Sequence, residues 1–72
     1  MKVKSLFYRE LGRTIREARL ASKLTQRTLA DKVCMSRPSL NHIEAGKQRV
    51  QVHQLIRIAS VLQISVEELL TS

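Results

Sequence analysis

One short segment of the sequence, residues 36–46, concentrates side chains that form specific hydrogen bonds. If this segment forms a helix with 100° per residue, its polar side chains fall within an outward arc of about 140° around the helix axis. Leu40 and Ile43 then lie on the opposite, apolar side. The arc would carry a guanidinium, an amide and an imidazole, groups that recognise base edges in the major groove of DNA. The residues we expect to contact bases are Arg37, Pro38, Asn41 and His42.

Each of these side chains has a suitable base partner. Arg37 matches the O6 and N7 acceptors of guanine, a pairing worth about 1–3 kcal/mol of discrimination, and a phosphate contact is its alternative. Asn41 can pair with adenine, and His42 can donate to an acceptor of guanine or thymine. Pro38 can touch a thymine methyl group, although starting the helix is its more favoured role.

The charge balance indicates a polyanionic partner. Thirteen Lys and Arg residues against six Asp and Glu residues give a net charge of +7. Residues 1–49 hold twelve of the basic and four of the acidic residues, whereas residues 50–72 hold Arg57 against Glu67 and Glu68. This pattern favours nucleic acid over an acidic membrane as the binding partner. The alternative is a basic surface that only keeps the protein soluble.

Length and composition exclude several classes of protein. Seventy-two residues predict one domain, residues 1–72, with a small core and little room for a substrate pocket or an effector-sensing domain. No phosphate-loop, nucleophile or metal-ligand pattern occurs, so we expect no enzyme activity, cofactor or metal. Cys34 is the only cysteine, which we expect to be a small buried hydrophobe. Without an apolar stretch of roughly 18 residues, we expect no membrane contact and a cytoplasmic, nucleoid-associated location.

The elements that must position residues 36–46 are predicted to be five helices joined by short connections. Thr25, Ser36 and Ser65 are suited to cap helix starts, and Gly46 to end a helix in the left-handed conformation. The predicted helices span residues 5–22, 26–33, 37–45, 51–62 and 66–70. Apolar residues at spacings of three and four predict an inward face made by Phe7, Leu11, Ile15, Ala18, Leu29, Ala30, Val33, Leu40, Ile43, Leu55, Ile58, Ala59, Leu62, Val66 and Leu69.

Three segments resemble a known family. Residues 25–33 read TQRTLADKV, residues 34–46 read CMSRPSLNHIEAG and residues 55–62 read LIRIASVL. Together, over about residues 11–70, they resemble the lambda-repressor and Cro-like (XRE) helix-turn-helix family. The resemblance implies an all-α, compact five-helix lambda-repressor-like DNA-binding domain, with the helix-turn-helix, about residues 25–45, formed by helices 2 and 3. The family usually places Gly where this chain has Cys34, so a left-handed backbone there would cost about 1–2 kcal/mol.

The resemblance also implies roles for single residues. Gln26 would hydrogen-bond a DNA phosphate, and Arg19 would pair with Glu44 in a structural contact between helices 1 and 3. Basic and hydroxyl side chains around the two helices would complete the phosphate contacts, and roughly six contacts predict a slope of log affinity against log salt near −5. The residues expected to contact phosphates are Lys23, Gln26, Arg27, Ser36, Ser39, Lys47 and Arg49.

A single short helix reads few base pairs, which favours a two-fold dimer that reads half-sites about one DNA turn apart. Residues 51–70 are the least basic part of the chain and are therefore the expected interface. Core packing is the alternative role for each of the expected interface residues, Val52, Ile56, Val61 and Leu70.

These features predict a sequence-specific double-stranded DNA-binding protein, a small transcriptional regulator acting as a homodimer on palindromic operators, either a repressor or a controller. Two alternatives stay open at this point. The first is an antitoxin or restriction-modification controller whose partner is another protein. The second is a helical protein-interaction or RNA-binding module that keeps the fold without an operator.

Overall fold

Five α-helices make up the regular structure of residues 3–71, the part of the chain that the computed structural model describes. They confirm the all-α prediction, and every predicted helix end lies within two residues of the observed one. No helix in this range is both long and apolar enough to cross a lipid bilayer. The helices are α1 (Val3–Ala21), α2 (Gln26–Lys32), α3 (Arg37–Glu44), α4 (Val52–Leu62) and α5 (Val66–Thr71).

Side-chain caps set the starts of three helices, as predicted. The hydroxyls of Thr25 and Ser36 each accept a hydrogen bond from the backbone N–H three residues later, at 3.0 and 3.2 Å. Ser65 accepts from the N–H of Glu68 at 3.0 Å, and the Glu68 carboxylate accepts from the N–H of Ser65 at 3.1 Å. These bonds satisfy backbone donors that a helix start otherwise leaves without a partner.

Four of the helices are followed, within two residues of their last residue, by a residue in the left-handed region. One of these residues is Gly46, whose φ of 75° confirms the predicted left-handed conformation, and the others are Lys23, Cys34 and Gln63, with φ values of 60°, 58° and 59°. At each end, backbone N–H groups reach back to carbonyls of the last turn at 2.9–3.3 Å. A residue with a Cβ strains this conformation by about 1–2 kcal/mol, so three of the four turns are strained.

The core is built from one face of every helix. All of its buried apolar side chains belong to the predicted inward faces, whereas Ala18, Leu55 and Val66 are only partly buried at its margin. The buried apolar residues are Leu11, Ile15, Leu29, Ala30, Val33, Leu40, Ile43, Ile58, Ala59, Leu62 and Leu69.

Two side chains predicted to be buried are exposed. Phe7 is 41% exposed, and the neighbouring Tyr8 packs against the core in its place. Tyr8 lies one helical turn before Gly12, whose backbone contacts the end of α3, and the rings of Phe7 and Tyr8 lie 5.1 Å apart. Cys34 is exposed because it occupies a left-handed position in a surface turn.

α1 and α3 cross at a point that leaves no space for a side chain on α1. A Cβ on the buried Gly12 would overlap the carbonyl oxygen of Ile43 and lie 2.9 Å from that of Glu44. A Cβ on Gly46 would lie 2.7 Å from the Cα of Arg9. The last turn of α3 and the residue that ends it therefore rest directly on the backbone of α1.

A buried ion pair joins the same two helices. Nε of Arg19 donates to Oε2 of Glu44 at 2.8 Å, and Nη2 donates to Oε1 at 3.1 Å. The side chains are only 8% and 2% exposed. The remaining guanidinium nitrogen, Nη1, donates to the carbonyl of Leu24 at 2.8 Å, which ties down the turn between α1 and α2. The structure thus brings together the two residues that the resemblance pairs.

Gly12→Ala should lower the free energy of unfolding by about 1–3 kcal/mol, because the added methyl group overpacks the crossing with α3. At an exposed helix position the same change would raise stability by about 1 kcal/mol. A loss of stability in Gly12→Ala would therefore indicate close packing at this residue. Urea unfolding followed by circular dichroism measures the difference. Arg16→Ala, exposed on the same helix, is the control and should change stability by less than about 0.5 kcal/mol. A Gly12→Ala protein as stable as the original would contradict the close approach.

Arg19→Ala should lower the free energy of unfolding by about 3–5 kcal/mol, because it leaves the buried Glu44 carboxylate without its cation. Arg13 provides a matched control, since its Nε donates to Glu17 at 3.3 Å, but the two side chains are 68% and 63% exposed. Arg13→Ala should cost less than about 1 kcal/mol because water screens an exposed pair. Equal losses from the two substitutions, measured by urea unfolding, would refute a special role for burial.

Candidate nucleic-acid interface

The outer face of α3 displays the side chains predicted to contact bases. Leu40 and Ile43 hold the inner face in the core. The outer side chains are exposed, and one of them, Asn41, accepts a hydrogen bond from α2 that is described below. Those exposed residues are Arg37, Pro38, Asn41 and His42, as the helical arc predicted.

Local sequence fixes the start of this helix. Ser36 is the N-cap, and Pro38 stands in the first turn, where the absence of an N–H costs nothing. The Ser39 hydroxyl accepts from Nε2 of Gln48 at 2.7 Å, so it also braces the loop that follows α3. Each serine hydroxyl uses an oxygen lone pair in its internal bond and keeps its own proton to donate.

Gln26 has a position that sequence reasoning missed. Its Nε2 donates to Oε1 of Glu44 at 3.1 Å and to Oδ1 of Asn41 at 3.2 Å. An amide nitrogen carries two hydrogens, and both are used here. Gln26 thus links the buried ion pair to the exposed face of α3, while its contact with a DNA phosphate stays a prediction. No spacing in the sequence signals this link, because it depends on how α2 crosses α3.

Exposed basic residues lie within α2 or next to α2 and α3 in the sequence. Within residues 6–71, the ion pairs are Arg13–Glu17 and Arg19–Glu44, so these basic side chains are not neutralised by acidic neighbours. Arg9 lies against Gly46, just before the loop after α3, a proximity that tertiary packing creates and sequence could not show. The exposed basic residues that precede or begin α2 or follow α3 are Lys23, Arg27, Lys47 and Arg49.

Apolar side chains are exposed on the last two helices. Val52 and Ile56, one turn apart on α4, are 74% and 54% exposed, and Leu70 on α5 is 42% exposed. Val61 is different, because it follows Val52 by nine residues, about half a turn around the helix, and packs against the core. The structure therefore separates Val61 from the other three residues expected in a dimer interface.

The sequence matches a known family over most of its length. The helix-turn-helix family model HTH_3 matches residues 15–69. The uncharacterized HTH-type transcriptional regulator YqaE of Bacillus subtilis (strain 168) is 34% identical over 56 residues, which cover 78% of this chain and 48% of that protein. The chain thus spans about half the length of this curated relative.

Solved structures share the arrangement of the five helices. The restriction-modification controller protein C.AhdI from Aeromonas hydrophila matches with a TM-score of 0.83 and 31% identity, over 86% of this chain and 94% of that one. The clp gene regulator ClgR from Corynebacterium glutamicum matches with a TM-score of 0.87 and 28% identity, over 89% of this chain and 68% of that one. With the family model matching residues 15–69, these findings confirm the resemblance seen in residues 25–46. The chain belongs to the XRE-type helix-turn-helix family of DNA-binding transcriptional regulators.

Proposed function

We propose that this chain binds double-stranded DNA at specific sequences and regulates transcription, with α3 as the helix that enters the major groove. One observation carries the proposal: four side chains able to contact bases are exposed on one face of a helix whose other face is fixed to the core and to α1. A helix held in this way presents its N-terminal residues to base edges with little freedom to adjust. The family's class, a DNA-binding regulator, is not an enzyme class.

Within this proposal, each exposed residue of α3 has a role. Arg37 stands at the first helical position and donates to guanine O6 and N7. His42 lies further along the same face and donates to a guanine or thymine acceptor. Pro38 contacts a thymine methyl group while starting the helix, and Asn41 pairs with adenine.

Phosphate contacts come from both ends of the helix-turn-helix. Lys23 precedes α2, Arg27 lies in its first turn, and Lys47 and Arg49 follow α3, so basic residues stand both before and after the groove-binding helix in the sequence. The protons of the Ser36 and Ser39 hydroxyls add neutral donors at the start of α3. About six ionic contacts in the complex would give a slope of log affinity against log salt near −5.

We further propose that two copies pair through α4 and α5 and read a palindromic operator. Val52, Ile56 and Leu70 support this surface because they are exposed, apolar and on helices that carry little positive charge. One short helix reads too few base pairs to select a site in a genome, and a homodimer would double the number of base pairs read.

A restriction-modification controller is the second candidate, and one observation favours it. C.AhdI carries that description, and the match to it extends over 94% of its chain at 31% identity. A controller of this kind uses the same DNA contacts as a stand-alone regulator. The two candidates therefore differ in the genes next to the bound operator, which mapping of the bound sites in the source genome would identify.

Arg37→Ala should relax the sequence preference, because it removes a base contact, whereas Lys47→Ala should weaken binding to all sequences about equally. Selection of bound sequences from a random DNA pool measures the first effect, and titration of a selected site against salt measures the second. The Lys47→Ala protein should also show a salt slope shallower by about 1 per protomer that binds. If Arg37→Ala leaves both the selected sequence and the affinity unchanged, α3 is not oriented as proposed.

Ile56→Asp should convert the dimer into monomers, because it places a charge in an apolar interface. Leu20→Asp is a matched control, since Leu20 is a similarly exposed apolar residue, 49% against 54%, on α1 rather than α4. Sedimentation equilibrium should give a monomer for Ile56→Asp and a dimer for Leu20→Asp and for the unsubstituted protein. A monomeric unsubstituted protein, or a dimer that survives Ile56→Asp, would overturn the proposed interface.

A further inference from the structure

We infer that Arg9, on α1, binds a backbone phosphate of the DNA duplex next to the phosphate bound by Lys47. The inference rests on the proposed function, because it adds a contact to the proposed DNA site. Arg9 is far from α3 in the sequence, and only the packing of α1 against the end of α3 brings it to this site.

The carbon stem of Arg9 packs against Gly46, which follows the last turn of α3. A Cβ placed on Gly46 would lie 2.7 Å from both Cα and Cγ of Arg9 and 3.1 Å from its Cβ. Because Cγ is no farther from this point than Cα, the side chain runs alongside Gly46 instead of turning away from it. The guanidinium is separated from Cγ by only the Cδ methylene, so it lies close to Gly46 and to the next residue, Lys47.

The loop that begins at Gly46 is tied to α3 by hydrogen bonds. The backbone N–H of Lys47 donates to the carbonyl of His42 at 2.9 Å. Nε2 of Gln48 donates to the Ser39 hydroxyl at 2.7 Å. A phosphate contact made from this loop therefore has a fixed position relative to the base contacts of α3, and a contact from Arg9 shares that position.

The charges of Arg9 and Lys47 fit a polyanion. Both residues are exposed, and neither takes part in an ion pair among residues 6–71, even though Glu10 follows Arg9 directly. Two unpaired cations held close together repel each other, and successive phosphates along one DNA strand supply two neighbouring anions. Arg9 stands on α1 and not on the helix proposed to enter the groove, so its ligand is a phosphate, not a base edge.

Arg9→Met tests the contact, because it removes the charge and keeps an unbranched stem to pack against Gly46. At about 0.1 M salt, the affinity for a selected operator should fall about five-fold or more. The slope of log affinity against log salt should become shallower by about 1 per protomer. The selected sequence should stay unchanged, because a phosphate contact carries no sequence information. Arg9→Lys keeps the charge and should stay within about two-fold of the unsubstituted affinity.

Arg57→Met is the matched control, since it removes the same charge from an exposed position on α4. Arg57 lies about 100° around that helix from Ile56, so the substitution also avoids the proposed dimer surface. Arg57→Met should leave affinity and salt slope unchanged. Equal losses from Arg9→Met and Arg57→Met would show an effect of net charge alone and would overturn the inference.

Ethylation of single phosphates in the operator locates the contact. One ethylated phosphate should weaken binding of the unsubstituted protein but not of Arg9→Met, and it should neighbour the phosphate that loses its effect in Lys47→Ala. If Arg9→Met shows the unsubstituted affinity, salt slope and ethylation pattern, the contact is refuted, while the proposed function stands. Failure of the unsubstituted protein to bind any DNA would refute the proposed function itself.

Discussion

The buried pair between Arg19 and Glu44 is the contact on which the geometry of α3 depends. Burial of two charges is costly unless every donor and acceptor finds a partner. Here the guanidinium is shared between the carboxylate and the carbonyl of Leu24, and the carboxylate also accepts from Gln26. Within residues 6–71, no buried side-chain nitrogen or oxygen lacks a partner. Because these bonds are directional, they fix the angle and register of α3 on α1, which apolar packing alone leaves less strictly determined.

Two glycines set the distance between α1 and α3 at the same crossing. Gly12 lets the carbonyls at the end of α3 touch the backbone of α1, and Gly46 lets the following residue turn against Arg9. The buried charges and the close backbone contact act on the same turn of α3, one limiting its direction and the other its separation from α1. A domain with so small a core can therefore hold one helix in a defined orientation while exposing most of that helix's polar groups.

Structural features that depend on residues close together in the sequence could be predicted from the sequence. Helix bounds, the serine and threonine caps and the buried faces follow from local hydrogen bonding and from periodicity, and the structure confirms them. The pairing of Arg19 with Glu44 came only from the resemblance, because 25 residues separate the two. Contacts that depend on how helices cross were missed: the bonds of Gln26 to Glu44 and Asn41 were not foreseen, and Phe7 was wrongly assigned to the core. The residue types alone do not show these contacts, because they depend on the arrangement of the helices.

The strained turns have a consequence for how this chain can change. Lys23, Cys34 and Gln63 each hold a left-handed backbone that glycine would adopt freely, so together they represent a few kcal/mol of unused stability in a fold whose total is about 5–15 kcal/mol. At Cys34 and Gln63, glycine would relax the backbone without removing a charge. At Lys23 it would also remove a cation that borders α2. A glycine at position 23 would therefore raise thermal stability but weaken the attraction to a polyanion. At positions 34 and 63, a glycine would raise thermal stability without changing the charge.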